Sequence, residues 1–363
     1  MIHVLFISRA TLFQDRGGDT IQVLETARHL ELLGVKVDIR LSNEKINYEP
    51  YSLIHFFNII RPADILIHIK QSGKPFVVST IYVDYSELEK LQRKGASGLI
   101  FKLLSKDAIE YLKVLARLVL NGENIISPSY IFLGQKKSIC KIIRLSSMLL
   151  PNSKNEYKRL SKDYHVEAPY KVIPNAIDSG LFRYNHGTHP KDPSIVLCVG
   201  RIEYRKNQIN LIRALNNTKY RLLIIGSAST NQQRYVEECR RIAAPNISFI
   251  DSLPQEKLLK YYMEAKVHAL PSWFETTGLS SLEAAAMGCN LVITEKGDTR
   301  EYFENYAFYC DPNSPASIFA AVEMASSSSF NELLRESIYS KYTWHKAAEE
   351  TFEVYRNIVG RIN

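Results

Sequence analysis

Short aliphatic runs recur along the chain, each passing into a polar or glycine-bearing turn and then into a segment with apolar residues at helical spacing. The first run, residues 2–8 (IHVLFIS), reads as a buried strand. A polar loop ending in Gly17-Gly18-Asp19-Thr20 follows, then an amphipathic helix over 21–33 that Gly34 closes. Further strands are expected at 35–39, 51–56, 65–69, 76–81, 147–153 and 170–178. Residues 183–193 are polar and proline-bearing and read as a linker. The alternation then restarts, with strands at 194–200, 220–225, 247–250, 267–271 and 290–294. Helices are expected up to about residue 215, over 255–265, after Gly278 and over 344–359. Strands alternating with helices predict an α/β chain of two doubly wound, Rossmann-like domains. The expected division is 1–187, 188–343, and a C-terminal helix in 344–363 that packs back on the first domain.

A chain of 363 residues is longer than one core usually supports, which agrees with two domains. Five cysteines, odd in number and without metal-ligand spacing, argue for a reducing cytosol and no structural zinc. Residues 1–8 read as a strand rather than a secretory leader, and no apolar run approaches a membrane span. The net charge of +8 is unevenly placed: residues 1–187 carry 26 Lys and Arg against 18 Asp and Glu, and the remainder 20 against 20. No nucleic-acid-binding module accompanies the excess, so nucleic acid is not expected as a partner. Between 88 and 141, apolar patches are laced with cations, the composition of a segment that rests on an anionic membrane surface; docking on the chain's own core explains the same pattern.

The candidate chemistry centres on residues 274–288 (FETTGLSSLEAAAMG). The eight-residue spacing of Glu275 and Glu283 carries little, because Glu256 and Glu264 repeat it on a helix that reads as solvated surface. The setting carries more: an apolar strand, a loop with Gly278, and a helix whose unpaired N-terminal amides and dipole attract phosphate. Arg201 and Lys206 follow another strand end, where cations can meet a diphosphate; ordinary surface charge is the other reading. Gly17 and Gly18 do not form G-x-G-x-x-G, leaving a tight turn or a close approach to ligand as alternatives. Tyr82 and Asp84 follow the strand at 76–81, as substrate contacts or as a loop aromatic and a helix cap.

The chain resembles the retaining family-4 glycosyltransferases of GT-B fold. The resemblance rests on Val199-Gly200-Arg201 with Lys206-Asn207, the helix over 255–265, Glu275 to Gly278 with Leu282-Glu283-Ala284, and Gly288. Gly17-Gly18, Leu150-Pro151-Asn152-Ser153 and residues 172–178 match more loosely. The resemblance implies metal-independent transfer from a nucleotide-sugar, with retained configuration and no cofactor, in a cleft between two domains. It assigns the donor diphosphate to Arg201 and Lys206, the donor sugar to Glu275 and the ribose to Glu283. Backbone contacts fall to Gly278 and Leu279, with Gly17, Gly18, Gly200, Gly226, Leu253, Thr276 and Thr277 also facing the donor. Two departures stand out: many relatives have a His after the strand matching 76–80, where this chain has none, and Thr277 replaces a usual aromatic. The expected function is transfer to a glycan or lipid-linked glycan in cell-surface polysaccharide synthesis, by a cytoplasmic protein peripheral to the inner membrane face. A nucleotide-sugar epimerase and a non-catalytic binding subunit are the alternatives.

Overall fold

The computed structural model describes residues 2–83, 107–109, 111, 128–184, 190–229 and 232–361. Asp84, most of 88–127 and the expected boundary at Gly187 lie outside them. The chain forms two compact units, Met1–Pro174 with Ala347–Asn363, and Asn175–Lys346.

The first unit is built on a parallel sheet of β1 (His3–Ser8), β2 (Lys36–Leu41), β3 (Leu53–Phe57), β4 (Phe76–Ser79) and β5 (Met148–Leu150). Their order is β2-β1-β3-β4-β5, a doubly wound arrangement whose direction of travel reverses between β1 and β3. Helix α1 (Gly18–Leu32) follows β1, and Gly17 opens it with its N–H on the Thr20 hydroxyl at 3.1 Å. Arg9 at the end of β1 braces this loop, bonding Asp19 at 2.6 Å and the Asp15 carbonyl.

Two expected strands of this unit take other forms. Residues 65–69 lie inside helix α2 (Pro62–Ser72), not in a strand. Pro62 sets the first turn, Ile65, Leu66 and His68 face the core, and Gly73 closes the helix in the left-handed region at φ +59. An apolar run this short fits either period. Residues 170–178 run alongside β5 through a single bridge, Leu149 to Tyr170, and form no regular strand. The Lys171 and Ile173 N–H groups donate to the Leu149 and Pro151 carbonyls, but the next in the row, that of Asn175, turns to the Tyr302 hydroxyl at 3.1 Å, which ends the pairing.

Helices α3 (Pro128–Leu145) and α4 (Lys154–Tyr164) complete the described helices of the contiguous part. Ser153 caps α4 by accepting from the Glu156 N–H. The Glu156 carboxylate is itself buried, accepting from the Thr80 hydroxyl and from the Tyr82 and Asn152 N–H groups.

The second unit has the strands β6 (Asp192–Val199), β7 (Arg221–Ile225), β8 (Ile247–Ile250), β9 (Ala265–Leu270), β10 (Asn290–Thr294) and β11 (Phe308–Cys310), in the order β11-β10-β9-β6-β7-β8. All pairs are parallel. Val267, Ala269, Leu270, Leu291 and Val292 are fully buried, as strands covered on both faces require. Around the sheet lie α5 (Gln208–Leu215), α6 (Gln233–Ile242), α7 (Gln255–Glu264), α8 (Leu279–Ala286), α9 (Thr299–Phe303), α10 (Pro315–Ser327) and α11 (Glu332–Lys341). The last helix, α12 (Trp344–Val359), begins in this unit and from Ala347 belongs to the first. There Tyr355 bonds the buried His55 ring of β3 at 2.6 Å, and the other ring nitrogen meets Ser79 at 2.8 Å.

Candidate functional site

In the second unit the sheet order reverses between β6 and β9. A crevice opens outside the carboxyl ends of strands at such a point, and ligands of doubly wound sheets bind there. Two connections supply its walls, residues 200–207 after β6 and residues 271–278 after β9.

After β6 the backbone turns at Gly200, and Gly226 at the end of β7 lies against it. A Cβ on Gly226 would stand 2.0 Å from the Gly200 carbonyl oxygen, so this close approach demands glycine. Residues Tyr204–Lys206 then form one 3-10 turn, and Asn207 in the left-handed region starts α5. The Asn207 amide donates to the carbonyls of Pro271 at 3.0 Å and Pro312 at 2.8 Å, fastening three strand-end loops together.

On the other wall, Glu275 is pinned through its backbone. Its N–H donates to the Lys296 carbonyl at 3.0 Å and its carbonyl accepts from the Asp298 N–H at 2.9 Å, either side of Gly297. Trp273 adds a bond from its N–H to the Arg205 carbonyl at 2.9 Å. Gly278, at φ +75, caps α8, and the Ser281 and Leu282 N–H groups both turn back to its carbonyl. By helix geometry, the Leu279 and Ser280 N–H groups have no carbonyl ahead of them.

The two walls meet as charge. Lys206 Nζ lies 2.5 Å from Glu275 Oε1, and Arg205 stands 3.7 Å from the same oxygen. Arg205 also bonds Glu203 at 2.9 Å, and Arg201 stands 3.5 Å from the second Glu203 oxygen. Glu275 and Glu203 are buried, Lys206 and Arg205 nearly so, and Arg201 is half-buried. Burial alone would raise the Glu275 carboxyl, but Lys206 and then Arg205 hold it below its ordinary value. Glu203 is held down in the same way by Arg205, Arg201 and Lys206, against burial. Three cations thus face two ionised carboxylates, an arrangement that welcomes one more anion.

Glu283 sits differently. It is 5% exposed, with one oxygen accepting from the Gln255 amide at 2.7 Å and the other from the Tyr262 hydroxyl at 2.9 Å. Burial pushes its carboxyl up to about 7, against the opposing pull of Tyr262 and Gln255. The bland surface helix of the sequence, α7, therefore holds the second carboxylate from one face, through positions seven residues apart. Glu256 and Glu264 on the same helix are exposed.

Among the other candidates, Thr277 is buried and its hydroxyl accepts from the Asn175 amide at 3.3 Å. Thr276, Leu253 and Leu279 are half-buried, the two leucines against the core. Tyr82, Gly17 and Gly18 belong to the first unit. Tyr82 is 2% exposed, its hydroxyl donating to Asp163 and its N–H to Glu156. Sequence reasoning missed Glu203, Arg205, Gln255, Tyr262 and the role of Gly297. Only Arg205, adjacent to Lys206 in a basic stretch, left a signal.

Residues 185–344 match the family model described as glycosyl transferases group 1. The chain is 29% identical over 214 residues to an uncharacterized glycosyltransferase of Methanocaldococcus jannaschii, covering 52% of this chain and 54% of that protein. It is also 29% identical over 200 residues to glycogen synthase of Mycobacterium tuberculosis, covering 52% and 48%. The chain therefore spans about half the length of these curated relatives. Among solved structures it is similar to sucrose-phosphate synthase from Thermosynechococcus elongatus, with a TM-score of 0.76, 17% identity, and 99% and 100% of the two chains covered. It is similar also to Anabaena HepE in complex with UDP, at 0.70, 15%, 98% and 100%. At these identities the likeness is one of fold, two Rossmann-like domains of GT-B type.

Proposed function

We propose that this chain, whose residues 185–344 match the glycosyl transferases group 1 model, moves a sugar from a nucleoside-diphosphate donor to a glycan or lipid-linked glycan, with retained configuration, in cell-surface polysaccharide synthesis. The observation that carries the reading is the Lys206–Glu275 pair at the switch point, with Arg205 and Arg201 beside it. Breaking the sugar–phosphate bond builds negative charge on the departing diphosphate. Fixed cations and the amides opening α8 are preorganised to stabilise that charge, and a low-dielectric setting makes them worth more than in water. They do so without a metal ion. Glu275, kept ionised and oriented by Lys206, can accept from donor-sugar hydroxyls. Glu283, two oxygens wide, is suited to the ribose diol.

Calorimetry with UDP-, GDP-, ADP- and TDP-sugars, followed by donor-hydrolysis assays with and without EDTA, tests this reading. Binding of one class and EDTA-insensitive hydrolysis are expected. Failure to bind any of the four would sink it in favour of a non-catalytic subunit.

Glu283 makes a pH prediction. If it takes the ribose hydroxyls as a carboxylate, donor KM should fall as pH rises through about 7, with kcat changing less. Glu283→Gln should flatten that step, and a step that survives in the variant belongs to another group. The sign for stability is opposite. Below the ordinary value of 4.5 the group is protonated in both states; between 4.5 and about 7 only the unfolded chain ionises, so the native state loses stability as pH rises.

A further inference from the structure

From the exposed residues of α3 we infer that the first unit docks on the surface of an anionic bilayer, through an apolar pair one turn ahead of a cationic stripe. The helix has a buried side and a bare one. Ser138, Ile139, Ile142 and Ile143 are buried, and the Gln135 amide fastens the helix to the Ile60 carbonyl at 2.8 Å. Opposite them, Lys136, Lys137, Lys141 and Arg144 are all exposed, with Lys137, Lys141 and Arg144 in the i, i+4, i+7 row that lines one helix face. The helix contains no carboxylate, and among the described residues none pairs with any of the four. Among the described residues, charge of one sign is thus left unbalanced on this face.

The apolar half lies one turn earlier. Gly134 breaks the helical backbone at φ +67, setting the first turn apart from residues 135–145. That turn presents Ile131 at 47% and Phe132 at 88% exposure. Among the described residues nothing covers this phenyl ring. Nucleic acid or an acidic protein would use the lysines but gain little from Ile131 and Phe132. An anionic membrane uses both, the apolar pair entering the headgroup boundary while the stripe meets lipid charge. The contact lies on the bilayer and does not cross it, for no helix among the described residues is long and apolar enough to span. The surface begins near the end of the 88–141 segment singled out above and extends past it to Leu145, itself 50% exposed. The inference deepens the acceptor side of the proposed function, since a lipid-linked acceptor is met at such a surface.

Flotation of the full chain with phosphatidylcholine vesicles, with and without phosphatidylglycerol, tests it. Binding should require phosphatidylglycerol and weaken as salt screens the attraction. Lys137→Glu with Lys141→Glu and Arg144→Glu should weaken it by ~100-fold or more, at roughly a factor of five to ten per charge lost. Ile131→Ser with Phe132→Ser should cost ~10-fold or more, while both variants keep the parent's unfolding midpoint and nucleotide-sugar binding. Absence of flotation, equal binding to neutral vesicles, or parent-like binding by the charge-reversed variant would each overturn the inference. So would salt-sensitive capture of duplex DNA that tracks the lysines and ignores Ile131 and Phe132. None of these outcomes touches donor binding, so failure here and failure of the transferase reading are told apart.

Discussion

Lys206→Ala is expected to lower kcat/KM for transfer by ~1,000-fold and to destabilise the second unit as well. The activity loss follows from removing a preorganised cation from a buried site, where one such group is worth about 10²–10³ in rate. The stability loss follows from what remains. Glu275 is 4% exposed, and without Lys206 the cation left beside it would be Arg205 at 3.7 Å. Breaking a buried ion pair from one side costs about 3–5 kcal/mol, which for a unit of this size is on the order of 10 °C in Tm. Adding Glu275→Gln should restore much of the stability and none of the activity, since it removes the stranded charge without returning the cation. Turnover within a few-fold of the parent in Lys206→Ala would refute the site assignment, and an unchanged Tm would refute the account of the pair.

Gly297→Ala should be equally damaging through backbone geometry. A Cβ at this position would stand 1.9 Å from the Glu275 carbonyl oxygen and 2.8 Å from its carbon, with φ already at +107. Neither wall can yield cheaply, because both hydrogen bonds that pin Glu275 flank this residue. A loss of about 3 kcal/mol or more is expected, together with a drop in activity as Glu275 moves off Lys206. Gly73→Ala provides the control: it shares a positive φ, +59, but its Cβ would meet nothing within 4 Å, so only the ordinary ~1 kcal/mol conformational cost applies. Equal denaturation midpoints for the two variants would show that the close contact has no energetic weight.

The strands were legible because their residues announce themselves, and most of the expected runs form ladders within a residue or two. Residues 65–69 show the limit of periodicity, since Ile65, Leu66 and Ile69 suit a helix stripe as well as a short buried strand. Glu275, Gly278 and α8 were legible because a glycine before a small-residue helix is a local signal. Their partners were not. Gln255 and Tyr262 reach Glu283 across 28 and 21 residues of sequence, and Lys206 reaches Glu275 across 69. Those meetings depend on β6 and β9 being neighbours, which strand order decides and no single stretch encodes. Glu203 illustrates the point: Arg201 and Arg205 lie two residues to either side of it in sequence, but only the fold buries it and turns all three cations of the site toward it.

The division of the chain bears on its synthesis. Asn175–Lys346 is continuous, whereas the first unit closes only with Ala347–Asn363, which brings Tyr355 to the buried His55 ring. Domains generally fold in order as they leave the ribosome, N-terminal first. Here the first unit stays incomplete until its last residues are made: before then one nitrogen of the His55 ring lacks its Tyr355 partner.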